Sequence, residues 1–193
     1  MIRMATEADI PAILEIYGPY VQTTAISFEY TVPTLEVFTQ RFRNITAQFA
    51  WLVWEEDGAI LGYAYGSLPF ERAAFGWCAE ASIYLRPEAR GRGIGRKLYA
   101  VLEELMKLQG YVKVYALVTS ANKPSVEFHL ACGYTHTACM PGCGYKLGAW
   151  YDLFWLEKPL NFVENPTNAP LPIGSIVEID RKFHEILDKM SLS

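Results

Sequence analysis

The chain lacks any apolar run near the roughly 20 residues that a membrane-spanning helix requires. Its first residues, MIRMATEADIP, are too acidic and too broken for a secretory signal. Both absences lead to the expectation of a soluble, cytoplasmic protein with no membrane partner. Histidine is scarce, with three in 193 residues, and the four cysteines Cys78, Cys132, Cys139 and Cys143 show no metal or disulfide spacing. Three residues separate Cys139 from Cys143, but no histidine pair accompanies them, so reduced thiols and no metal are expected. Positive charge is also in deficit: a formal net charge of −4 disfavours broad nucleic-acid binding. Apolar and aromatic residues, at 51% and 14%, are plentiful enough for the core of one globular domain.

Residues 86–97 stand apart from this acidic background. Arg86, Arg90, Arg92, Arg96 and Lys97 face a single Glu88, so the stretch carries +4 and the remainder −8. A small basic spot on an acidic protein suits a compact anionic ligand better than a polymer.

Periodicity gives the surrounding elements. IRMAT reads as a short strand, and Ile10, Ile13, Leu14, Ile16, Tyr17 and Val21 recur at helical spacing. After an extended, turn-rich link, Thr34 is placed to cap a second helix marked by Val37, Phe38 and Phe42. FAWLVWEEDGAILGYAYGSL reads as a hairpin turning at EEDG, and WCAEASIYL as another strand. A helix follows with Ile94, Leu98, Val101, Leu102, Leu105 and Leu108 on one side, closed by Gly110. VKVYALV, GYTHTACM and AWYDLFWLEKPL read as strands, and KPSVEFHLAC as a helix; Trp150 and Trp155 are expected in the core. The order β–α–α–β–β–β–α–β–α–β–β describes a mixed α/β layer structure. Residues 1–160 form this domain; a linker rich in proline and asparagine and an amphipathic helix, with Ile176, Ile179, Phe183, Ile186, Leu187 and Met190 at helical spacing, occupy 161–193.

The basic stretch RPEARGRGIGRKLY sits where a strand delivers the chain to a helix. A helix start exposes unpaired N–H groups and the positive end of the dipole, which suits phosphate. Glycine lets backbone approach a bulky anion. Two phosphate-loop patterns fail here. No Gly-Lys-Ser/Thr follows Gly91, and a dinucleotide fingerprint on Gly93 and Gly95 would need glycine where Leu98 stands. What remains, Arg90-x-x-Gly93-x-Gly95 after a strand, resembles the pyrophosphate loop of the GNAT acetyltransferase superfamily. NKPSVEFHLACGY resembles that superfamily's next element, in which an Asn opens a helix and a Gly-aromatic pair closes it. ATEADIPAILEIY, SFEYTVPT, WLVWEEDGAILGYAYG, RAAFGWCAEASIYL and GYKLGAWYDLFWLEKPL are similar to the phosphinothricin and methionine-sulfoximine N-acetyltransferases, over about residues 2–160.

That resemblance implies an α/β acyl-CoA N-acyltransferase fold, with helices on both faces of a mixed, mostly antiparallel sheet. It implies acetyl-CoA as co-substrate, a small-molecule amine as acceptor, and a homodimer. It makes Glu80 the general base and puts His129 beside the coenzyme sulfur, to protonate it or orient the pantetheine. Ile83, Tyr84 and Leu85 become the strand that pairs with the pantetheine amides. Arg90, Gly91, Arg92, Gly93, Ile94, Gly95 and Arg96 become the diphosphate loop, with Asn122 and Ser125 on the pantetheine arm. Arg72 matches in spacing a cation for the acceptor's carboxylate; Phe28, Glu29, Phe75 and Lys146 are further acceptor-site candidates. Glu29 stands where some relatives have Arg, and Trp150-Tyr151-Asp152 replaces a Trp-His-Asp end, so the acceptor's identity stays open. His136 and His184 are expected to be structural or at the surface. Acetylation of protein N-termini or polyamines, and a non-catalytic CoA-binding module, remain alternatives.

Overall fold

The computed structural model describes residues 1–165 and 167–191; Pro166, one proline of the expected linker, lies outside the described residues. Among the described residues, seven strands and five α-helices follow in the order read from the sequence: β1 (Ile2–Met4), α1 (Ile10–Thr23), α2 (Leu35–Thr46), β2 (Trp51–Glu56), β3 (Ala59–Ser67), β4 (Cys78–Leu85), α3 (Ile94–Gln109), β5 (Lys113–Thr119), α4 (Lys123–Ala131), β6 (Thr135–Lys146), β7 (Ala149–Pro159) and α5 (Ile179–Ser191). Thr34 does cap α2, its hydroxyl accepting the Val37 N–H at 3.3 Å. Asp57 and Gly58, both at positive φ, close the β2–β3 hairpin with the twist such a turn demands. Among the described residues no helix is long and apolar enough to cross a membrane.

The strands form one sheet ordered β1-β2-β3-β4-β5-β7-β6. Every neighbouring pair is antiparallel except β4 with β5. That parallel pair is in register only at Cys78–Lys113, Ala79–Val114 and Glu80–Tyr115. Past Glu80 the two strands diverge, although β4 runs on to Leu85 and β5 to Thr119. A split therefore opens in the middle of the sheet, bordered by strand backbone without a partner strand on that side.

Side-chain alternation along β4 divides the two faces. Ala79 and Ala81 enter the larger core with Leu98, Leu102 and Leu105 of α3 and with α5. Tyr84 packs against the second cluster, built by α1, α2, Trp51, Val53 and Tyr63. Glu80 and Ser82, in phase with Tyr84, thus belong to the α1–α2 face.

Three side chains depart from the helical and core pattern. Leu108 is 41% exposed, Val37 55% and Trp150 67%. On α3 the buried surface is completed by Tyr99 and Met106 instead, since the apolar stripe turns with the helix and leaves Leu108 at its edge. β6 extends beyond the expected GYTHTACM and continues through Pro141–Gly142 as a bulge opposite Asp152, whose carboxylate accepts the Gly142 N–H at 2.8 Å. The tail docks on its own chain. Asn161 donates to the Lys107 and Tyr111 carbonyls, Gln109 to those of Gln48 and Leu171, and Phe183 and Ile186 bury against the α3 core.

Candidate active site

A groove of about 560 Å³ follows the split outward to the start of α3. Its walls come from Ile83 and Leu85 of β4, from the 90–96 loop, and from Asn122, Ser125 and Phe128 of α4, with Tyr20 of α1 at the rim. The loop glycines have separable causes. Gly91 and Gly93 stand at φ +72° and +78° with open space where a Cβ would go, so backbone conformation requires them. At Gly95 a Cβ would come within 3.3 Å of both Ile83 and Phe128, so close packing of α3 on the strand requires it. Ile94, Gly95 and Arg96 make the first turn of α3, whose N–H groups have no intrahelical partner.

The basic stretch does not act as a block. Arg86 donates to the Ile60 carbonyl and pairs with Glu15, and Arg92 pairs with Glu56 at 2.7 Å, outside the groove lining. Arg90 and Arg96 line the groove: Arg90 donates to the Tyr20 hydroxyl at 2.8 Å, and Arg96 to the Ala131 carbonyl. Tyr20 in turn donates to the Leu85 carbonyl at 2.5 Å, so that carbonyl already has a partner. Asn122 caps α4 by accepting the Ser125 N–H. Two cations, a turn of free amides and a cap residue facing one groove suit a diphosphate joined to a long amide-bearing arm.

Glu80 occupies the last paired position before the split. Burial alone lifts its carboxyl from the ordinary 4.5 to about 7, because the charged form loses solvent and no cation compensates. A smaller cavity within the split is lined by Ser82, Thr119, Asn122, Ser125, Tyr99 and His129, among others. His129 is 3% exposed, and burial lowers its pKa to about 4. Its Nδ1 lies 2.6 Å from the Ser125 carbonyl, a contact only N–H can make, so the neutral ring carries its proton there. Nε2 then accepts from the Tyr99 hydroxyl at 2.9 Å, whose one proton is shared with the Ala81 carbonyl at 3.0 Å. Both ring nitrogens are spent on protein partners, and Tyr99 joins His129 to the strand edge.

The other candidates gather on the α1–α2 face. The Phe28 ring lies so close over Gly144 that a Cβ there would collide with it. Glu29 forms an ion pair with Arg41 of α2, and Tyr65 stands beside the Ser82 hydroxyl within electrostatic reach of Glu80 and Arg41. Lys146 is buried, with its ammonium on the Val21 and Ser27 carbonyls at 2.7 and 2.6 Å; desolvation lowers its pKa. It pins the segment that presents Phe28 and Glu29 to β6. Arg72 and Phe75 lie in the loop joining β3 to β4, both exposed. Phe70 anchors that loop by packing at a tilt on Phe75 and stacking on Trp155, next to Tyr115, the strand partner of Glu80.

Comparison with known proteins decides the family. Residues 2–155 match the acetyltransferase (GNAT) domain. The chain belongs to the GNAT acetyltransferase family. A phosphinothricin N-acetyltransferase of Streptomyces viridochromogenes is 34% identical over 179 residues, 92% of this chain and 95% of that one. An L-methionine sulfoximine/L-methionine sulfone acetyltransferase of Salmonella typhimurium is 35% identical, covering 83% and 94%. The crystal structure of a GNAT phosphinothricin acetyltransferase from Sinorhizobium meliloti in complex with AcCoA superposes with a TM-score of 0.81 at 32% identity, over 93% and 96% of the chains. Within this GNAT acetyltransferase, sequence reasoning missed Tyr20, Arg41, Tyr65, Ser82 and Tyr99. Ser82 was the most accessible of these, because strand alternation alone places it in phase with Glu80. The rest lie on helices or neighbouring strands whose approach is a tertiary fact.

Proposed function

We propose that this acetyltransferase moves an acetyl group from acetyl-CoA to the amine of a small, amino-acid-like acceptor, by direct attack in a ternary complex. The observation that carries the reading is the continuity of the glycine-loop groove with the split whose apex holds Glu80. The diphosphate of the substrate coenzyme rests on the first turn of α3, near Arg90 and Arg96. The pantetheine arm enters the split as a short extra strand along Ile83 and Leu85, with Asn122 and Ser125 at its side. Its thioester then lies level with Glu80.

Glu80, half ionised near neutral pH, takes a proton from the acceptor's ammonium directly or through water. The freed amine attacks the thioester carbonyl, the new C–N bond forms, and the C–S bond breaks. The nitrogen's second proton passes to the departing sulfur through the Tyr99 hydroxyl, which gives its own proton to sulfur and takes up the one from nitrogen. His129 at neutral pH has no proton on the nitrogen that faces Tyr99, so it orients Tyr99 and Ser125 rather than acting as the acid. Arg72 supplies the cation for the acceptor's carboxylate, consistent with relatives named for phosphinothricin and methionine sulfoximine, both amino acids.

Thiol release from acetyl-CoA across a panel of amines tests the reading. Turnover with methionine sulfoximine is expected. Turnover confined to peptides or polyamines would overturn the acceptor class, and tight acetyl-CoA binding with no turnover would overturn the enzyme itself.

A further inference from the structure

Arg90 is held from outside its own loop, and by a neutral partner. Among the described residues no carboxylate pairs with it, whereas Glu15 and Glu56 hold Arg86 and Arg92. Its Nη2 donates to the Tyr20 hydroxyl at 2.8 Å, and its guanidinium lies over the Tyr20 ring, 5.5 Å from the centroid. The tyrosine has a single hydroxyl proton, and the Leu85 carbonyl, which can only accept, takes it at 2.5 Å. The direction of the chain is therefore settled: Arg90 donates to Tyr20, and Tyr20 donates to Leu85. Bonds linked in this way strengthen one another. The Tyr20 ring sits edge-on against Tyr84, with centroids 5.2 Å apart, so α1 and β4 together set where the arginine stands.

The strand end of this chain has a defined orientation. The Arg86 N–H bonds back to the Leu61 carbonyl of β3, and an antiparallel ladder turns successive residues to opposite edges. The Leu85 carbonyl thus points away from β3, to the same edge of β4 as the main-chain groups of Ile83. Tyr20 closes that edge at Leu85, and a cation takes over where the free strand acceptor ends. Tyr20, Ile83, Leu85 and Arg90 all line the one groove. On the acetyl-CoA reading above, we propose that Tyr20 is a positioning residue for the coenzyme, which keeps Arg90 aimed at the diphosphate and stops the pairing of the pantetheine arm at Leu85. One N–H of Arg90 is spent on the tyrosine, and its remaining donors serve the phosphate oxygens. An exposed arginine without this hold has to be ordered as the ligand binds, and affinity falls by that cost.

A double-mutant cycle tests this, with acetyl-CoA affinity read by calorimetry on wild type, Tyr20→Phe, Arg90→Ala and the double variant, and with steady-state kinetics alongside. Phenylalanine keeps the ring against Tyr84 and removes only the hydroxyl. Tyr20→Phe should raise the Kd and the KM for acetyl-CoA about tenfold, the worth of a hydrogen bond to a charged group. The acceptor's KM and kcat at saturating acetyl-CoA should stay within about twofold of wild type. Arg90→Ala should weaken acetyl-CoA at least as much, and adding Tyr20→Phe to it should cost no more than about twofold further. Unchanged affinity in either single variant overturns the inference. A Tyr20→Phe loss that persists in full on the Arg90→Ala background overturns it too, because the hydroxyl then acts on something other than the arginine. A fall in kcat with acetyl-CoA affinity intact gives Tyr20 a different role and also refutes it. If wild type itself binds no acetyl-CoA, the reading of the groove fails and the inference with it, a result distinct from wild-type binding that the variants leave untouched.

Discussion

Replacing Glu80 with glutamine should make the protein slower and, above neutral pH, more stable. The carboxyl at the apex of the split is raised from 4.5 to about 7 by burial, with no cation to offset the lost hydration. The folded state therefore holds this proton more tightly than the unfolded chain. Its stabilising effect is complete below the unfolded value and is lost as pH rises through about 7. The displacement converts to about 3 kcal/mol against the wild-type fold near pH 8, and less than about 1 kcal/mol near pH 5. Glutamine has nearly the same shape and no charge to desolvate, so it escapes this penalty. Urea titrations of both proteins at the two pH values should show the variant gaining on wild type by about 2 kcal/mol between the acidic and the alkaline condition. In parallel, wild-type kcat/KM should climb through an acid limb centred near 7 that the variant lacks. A stability gap identical at both pH values would refute the burial argument. A flat wild-type profile from about pH 6 to 8 would remove Glu80 as the base.

Other substitutions probe separate parts of the site. Gly93→Ala forces a side chain into φ +78° and should cost about 1–2 kcal/mol while weakening acetyl-CoA binding, read by thermal unfolding and calorimetry. Tyr99→Phe leaves His129 Nε2 buried without its partner and should cost about 1–3 kcal/mol in denaturant titration; turnover should fall while the acid limb of the pH profile keeps its position. Arg72→Ala should raise the acceptor's KM with kcat spared, and a fall in kcat alone would refute the carboxylate clamp. Removing residues 161–193 uncovers the side of α3 that Phe183 and Ile186 bury, a loss on the order of 5 kcal/mol that should appear as aggregation or a sharply lowered Tm.

The order of elements was legible because period-2 and period-3.6 patterns alternate cleanly between strong punctuation such as Thr34, Asp57-Gly58 and Gly110. The glycine loop was legible for the same local reason: Gly91 and Gly93 take backbone angles other residues avoid. Side-chain destinations were less so. Pro141-Gly142 looks like the end of a strand, and only the distant Asp152 carboxylate shows that pairing resumes beyond it. The resemblance makes Lys146 an acceptor-site candidate, yet two carbonyls from the far side of the chain capture it. Arg92 and Arg96 are indistinguishable in the sequence; Glu56, contributed by the β2–β3 hairpin, turns the first away from the groove. The divergence of β4 from β5 leaves no mark in either strand, because it is a property of the pair.

The single parallel junction has a topological consequence. Two neighbouring strands that run the same way cannot be linked by a tight turn, so the chain must leave the sheet and come back through a helix. That crossover helix necessarily begins just beyond the far end of the first strand, the same end at which these strands come apart. A seam placed at this one junction thus has an electropositive helix terminus at its mouth by geometry alone, and a long molecule with an anionic middle and a thin amide tail can be gripped by both at once. Moving the seam to any antiparallel neighbour would abolish that coincidence, which makes the location of the opening a matter of connectivity more than of any particular side chain.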